Sequence, residues 1–139
     1  MKNLWPEDLG ESPQKSPKKL LLDQAVILRG LTKNVITADV VERSVTNPKA
    51  TTFNFSFVLV TPALGSYVFS LFNFDPPVEL YPVKVTVDAQ MKAALPELFS
   101  KDRTHIAEDE DQFLALLKEI FNSDRTRKII GGLISQSKK

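Results

Sequence analysis

Residues 53–60 read Phe53-Asn54-Phe55-Ser56-Phe57-Val58-Leu59-Val60. In an extended chain this alternation sets three phenylalanines and Leu59 on one face, which is the period-two signature of a β-strand. Thr61-Pro62-Ala63-Leu64-Gly65-Ser66 follows, with proline to fix one φ and glycine to supply a positive one. Tyr67–Phe74 resumes with strand-type residues, so the two segments are expected to pair as a hairpin. Six of the nine phenylalanines fall between positions 53 and 74. The second face also carries Val58, Val60, Val68, Phe72 and Phe74, so both faces of the hairpin read as apolar. Either helices cover both, or one meets a second copy or another protein.

The flanking segments fix the class. Ser16-Pro17 has the form of an N-cap followed by proline at the first helical position, where its missing N–H costs nothing. From Pro17 to Leu31 the apolar set Leu20, Leu21, Leu22, Ala25, Val26, Ile27, Leu28 and Leu31 is too wide for one stripe, so this helix is expected to be covered on most sides. A buried strand over Ala25–Leu28 is the competing assignment. After Lys33-Asn34 the period shortens to two through Val45, predicting a strand that ends at an Asn47-Pro48 turn. Asp75-Pro76-Pro77 ends the third strand. Val78–Val87 forms a fourth, with Val83, Val85 and Val87 inward, and Pro82 places it at an edge or a bulge because proline cannot donate to a ladder.

Helical spacing then returns. Ala89–Phe99 predicts a short helix interrupted by Pro96, and residues 101–107 a polar connection. Asp109-Glu110-Asp111 puts carboxylates at the positive end of a helix whose buried face is Phe113, Leu116, Leu117, Ile120 and Phe121. Ser123 caps a last helix with Ile129, Ile130, Leu133 and Ile134. Its interior Gly131-Gly132 pair costs about 2 kcal/mol against alanine, so that helix packs closely against a neighbour there or breaks. The expected architecture is α+β: an N-terminal helix, a four-stranded, mainly antiparallel meander sheet, and two to three C-terminal helices packed on the sheet. Residues 1–16 are expected to be a flexible arm, with 17–139 one domain.

Composition narrows the function classes. The 139-residue chain has no cysteine, which removes thiol nucleophiles, cysteine zinc sites and disulfides. Eighteen basic and 17 acidic residues leave a net charge of +1 and no global field toward nucleic acid or membrane. The amino terminus lacks the apolar run of a secretory signal. No apolar run approaches the roughly 20 residues that span a bilayer. A cytoplasmic location is the expectation.

Four groups of residues carry the candidate chemistry. The sole histidine, His105, could act as a general base, with Asp102 orienting it and Ser100 or Thr104 as nucleophile, in a small hydrolase. With Glu108 one turn away it could hold a divalent metal. The run Glu108-Asp109-Glu110-Asp111 lacks the alternate ligands and central glycine of a calcium loop, and the helix dipole accounts for it. Gly131-Gly132 lacks the spacing of a phosphate loop. Arg125, Arg127, Lys128, Lys138 and Lys139 give the carboxyl-terminal stretch a local charge of +5 without an acid, fit for nucleic acid or an acidic protein surface, although cations near the end of a last helix are also favoured by its dipole. Trp5, in Leu4-Trp5-Pro6, is a large aromatic on the segment least able to fold alone, suited to anchoring in a partner's pocket, covering its own domain or pairing with a second copy.

The sequence therefore points to a non-catalytic protein-interaction domain of adaptor, accessory or immunity type, bacterial, without a cofactor, acting alone or as a homodimer. Leu4, Trp5, Arg125, Arg127 and Lys128 are the expected partner-binding residues. Nucleic-acid binding through the basic helix is the first alternative, and hydrolysis at His105 the second.

Overall fold

A computed structural model of the chain describes residues 1–44, 51–99 and 102–138. The order is α1 (Pro17–Leu31), β1 (Thr37–Glu42), β2 (Phe55–Thr61), β3 (Tyr67–Asp75), β4 (Val83–Thr86), α2 (Ala89–Ala94), β5 (Thr104–Ala107), α3 (Glu110–Phe121) and α4 (Asp124–Ser137). The strands form one antiparallel meander in the order β1-β2-β3-β4-β5. The class is the expected one, α+β with an N-terminal helix and C-terminal helices on an antiparallel sheet.

The strand count is five, not four. The stretch expected to be a polar connection contains β5, which pairs with β4 through Val83↔Ala107 and Val85↔His105. Four residues with only Ile106 and Ala107 apolar are too few to show a period. The fourth strand is also shorter than expected, and β4 is interior rather than an edge. Pro82 sits just before it, where its missing donor interrupts nothing. The Asn47-Pro48 turn lies outside the described residues.

Cross-strand partners share a face, so the register sorts the sheet. Phe55↔Phe74 and Phe57↔Phe72 stand over one face, with ring centroids 5.4 and 5.5 Å apart. A bulge at Phe57/Val58 shifts the pairing so that Val58 meets Ser70 and leaves Leu71 without a partner. Leu71 and Phe72 both join the core as a result. All four helices sit on this face. Phe113 of α3 packs on Phe74 and Tyr81, while Phe121 at its end packs on Phe57 and Phe72. Val41, Val60, Val68 and Ile106 belong to the opposite face, and so does Val58, which is buried yet stands apart from the core cluster. Of the two outcomes open for the hairpin, the helices cover one face.

Local signals explain the helix ends. Ser16 accepts from the Lys19 N–H and Pro17 opens α1. Asp88 accepts from the Met91 N–H to start α2, which stops before Pro96. At the head of α3 the Asp109 carboxylate accepts from Gln112 N–H, and the Gln112 amide oxygen accepts from Glu108 N–H, one residue before the cap. α4 runs unbroken through Gly131 and Gly132, and nothing lies within 4 Å of a Cβ added at either. Neither expected outcome, close packing or a break, occurs.

α1 departs from expectation as well. Leu20, Leu21 and Ala25 are buried, but Val26, Ile27 and Leu31 are 73, 51 and 78% exposed. The helix is covered on one side rather than most.

Candidate functional site

The His105 constellation does not assemble. His105 and Thr104 are consecutive in β5 and so project to opposite faces. On the core face, His105 Nδ1 lies 3.0 Å from the Leu98 carbonyl oxygen, an acceptor only, so Nδ1 carries the proton. Its ring meets the edge of Phe99 at 6.0 Å. Asp102 turns instead to Thr104, accepting from its hydroxyl at 2.6 Å and its N–H at 2.8 Å. Those two bonds hold the Asp102 carboxyl below its usual range. Ser100 lies outside the described residues. Among the described residues no three histidine or acidic side chains converge as a metal-ligand set. The acidic run is spent on α3: Asp109 caps it, and Glu110 is bound by the arm, with Gln14 Oε1 accepting from its N–H and its carboxylate accepting from Lys15 N–H.

The basic group is split by its own helix. Arg125, Arg127 and Lys128 occupy the first turns of α4, not its end, so the dipole opposes them rather than favouring them. Arg125 is half-buried, 3.7 Å from Asp88 and over the Phe69 ring at 5.8 Å. Arg127 and Lys128 are exposed. Lys139 lies outside the described residues.

Residues 1–15 contain no helix or strand, and Leu4, Trp5 and Leu9 are 83, 72 and 68% exposed. The segment's root is tied at Gln14 and Lys15, the latter's carbonyl accepting from Tyr81 OH at 2.8 Å. Burial, then the charges of Glu110 and Asp109, raise the Tyr81 phenol above its ordinary range, keeping it a donor. Trp5 thus does not cover its own domain, and among the described residues it makes no cation–π contact with Arg127 or Lys128.

One concavity was not anticipated. Gln24, Ile27, Leu28 and Leu31 stand at i, i+3, i+4 and i+7 along α1 and form one wall of a cavity of about 300 Å³. Phe57 and Leu59 of β2 with Leu71 of β3 make its floor. Phe121, Asn122, Thr126 and Ile130 close the far side. Among the described residues no charged side chain lines it. Thr126 spends its hydroxyl on the Ile120 carbonyl at 2.7 Å, and the Asn122 amide nitrogen donates to the Lys118 carbonyl at 2.8 Å. Among the described residues the half-buried Gln24 carboxamide has no hydrogen-bond partner. The bulge that turns Leu71 inward and the exposed Ile27 and Leu31 together make this groove. The signal for it in the sequence was the surplus of apolar residues on α1.

No helix among the described residues is long and apolar enough to cross a membrane. Comparison with protein-family models, with curated proteins and with solved structures returned no match for this chain.

Proposed function

We propose that this chain is a non-catalytic, cytoplasmic protein-interaction domain of the adaptor, accessory or immunity type, and that the groove between α1 and α4 is its contact surface. The observation that carries the reading is the groove's composition: eight apolar side chains and, among the described residues, no charge, with the half-buried Gln24 amide beside the exposed Ile27 and Leu31. Apolar pockets with a few neutral polar groups bind by desolvation, with the polar groups fixing orientation. A carboxamide without an internal partner suits the backbone of a bound polypeptide, to which it can both donate and accept.

A second reading rests on Arg127 and Lys128. They are exposed in the first turns of α4, where the dipole disfavours them, and have no ion pair among the described residues, so they are available to an anionic surface such as nucleic acid. Hydrolysis at His105 has less support, because Asp102 and Thr104 bond each other instead of the imidazole.

Affinity capture with three forms of the protein decides between the first two. A partner retained by Arg127→Glu/Lys128→Glu but lost from Ile27→Asp/Leu31→Asp supports the groove. A partner lost only from the charge-reversed form, with binding that falls steeply with salt, replaces it with the electrostatic reading. Equal recovery from all three forms refutes both.

A further inference from the structure

The groove and the arm are complementary in chemistry and in reach. Leu4-Trp5-Pro6 is an uncharged tripeptide between Lys2 and Glu7-Asp8, and the groove is the uncharged concavity that could receive it. On α4, the exposed Arg127 follows the groove residue Thr126 and lies one turn from Ile130, a cation near the groove opposite in charge to the Glu7-Asp8 pair that follows the tripeptide. The arm leaves its own body at the head of α3, where Gln14 and Lys15 bind Glu110, whereas the groove opens at the tail of α3 beside Phe121. In its own chain the tripeptide stands clear of the groove, with Trp5 in solvent. Eight residues lie between Trp5 and Gln14, and the nine Cα–Cα steps make a tether of up to about 30 Å, long enough to reach an adjacent molecule.

We propose that the groove receives Leu4-Trp5 of a second copy of this chain, so that two copies associate by exchanging their arms. Exchange is reciprocal and closes as a two-fold dimer, two arms filling two grooves. An aromatic side chain buries about 150–250 Å². With Leu4 beside it and a matching loss from the groove, two insertions remove on the order of 1,000 Å², close to the roughly 1,200 Å² of small stable interfaces. The inference rests on the groove being an interaction surface and adds the identity of one occupant.

Trp5 is the only tryptophan, so its fluorescence reports the arm alone. The experiment follows emission and quencher access of the full chain from nanomolar to near-millimolar concentration, with sedimentation in parallel. The expected result is a blue shift and a several-fold fall in quenching that track conversion of monomer to dimer. Trp5→Ala and Ile27→Asp/Leu31→Asp change exposed positions, and each alone should stay monomeric with an unchanged circular dichroism spectrum. Mixing the two should restore the blue shift, because one supplies the arm and the other the groove. Emission typical of solvated indole at every concentration overturns the proposal, as does a blue shift independent of concentration, which places the arm in its own chain. A shift that survives Ile27→Asp/Leu31→Asp overturns it too. A foreign partner captured through the groove while Trp5 remains solvated removes arm exchange alone and leaves the groove reading intact.

Discussion

Replacing Gly131 and Gly132 by alanine should stabilise the protein. Both lie inside α4, which continues five residues further to Ser137, and neither has a positive φ. Open space surrounds both added methyl groups. With no clash to subtract, the effect reduces to backbone entropy and helix propensity, about 1 kcal/mol each and about 2 kcal/mol for the pair. At this chain length that corresponds to roughly 3–4 °C per kcal/mol, or about 6–8 °C for the double variant. The assay is urea unfolding followed by circular dichroism, in which the midpoint rises while the slope stays constant. Gly65→Ala is the control of opposite sign. Gly65 has φ +66° at the end of the Pro62–Leu64 turn, so a side chain there costs about 1–2 kcal/mol although the space around it is also open. The reasoning is refuted if either α4 substitution lowers the midpoint, since that would require a broken helix or an atom beside the glycine.

Three further substitutions test the core, the caps and the arm's root. Phe113→Ala removes a fully buried ring between Phe74 and Tyr81 and should cost about 3–5 kcal/mol by chemical denaturation, a large share of a typical domain's stability. Asp109→Ala deletes the acceptor of the Gln112 N–H and should cost about 1 kcal/mol, read from the thermal midpoint. Tyr81→Phe loses the bond to the Lys15 carbonyl and should cost about 1 kcal/mol near neutrality. Folding raises the Tyr81 phenol above its ordinary value of 10.0, so its contribution is complete below that pH and is lost as pH climbs beyond it. Unfolding midpoints measured across alkaline pH should therefore fall more steeply for the native chain than for Tyr81→Phe.

Elements with strong periodicity were legible. The Phe53–Val60 alternation became β2, and the spacing of Phe113, Leu116, Leu117 and Ile120 became α3, because each pattern matches one backbone period and the buried side is the apolar side. β5 was hidden because its four residues, Thr104 to Ala107, owe their conformation to the ladder with β4 rather than to their own preference. The cations of α4 were visible as a charge run. Ser123 caps the helix where the sequence places it, and that cap already puts Arg125, Arg127 and Lys128 in the first turns, where the dipole opposes cations, so the expectation of a favourable dipole does not hold for them.

The groove was half-legible, for a reason that applies to any helix laid on a sheet. Gln24, Ile27, Leu28 and Leu31 form one stripe at helical spacing whether or not a neighbour lies against it. Too many apolar positions on α1 were read as cover on most sides, but the helix's own sequence is the same where part of that surface stays unfilled. What separates them lies elsewhere in the chain. α4 approaches through Thr126 and Ile130, and Thr126 is pinned low by its hydroxyl bond to the end of α3. The bulged Leu71 floors the gap and Phe121 closes its far side without bridging it, so Ile27 and Leu31 remain exposed. Burying them requires apolar atoms from outside this folded body. The same condition leaves Trp5 uncovered, and the two deficits are equal in kind: an apolar side chain without a pocket and a pocket without a side chain.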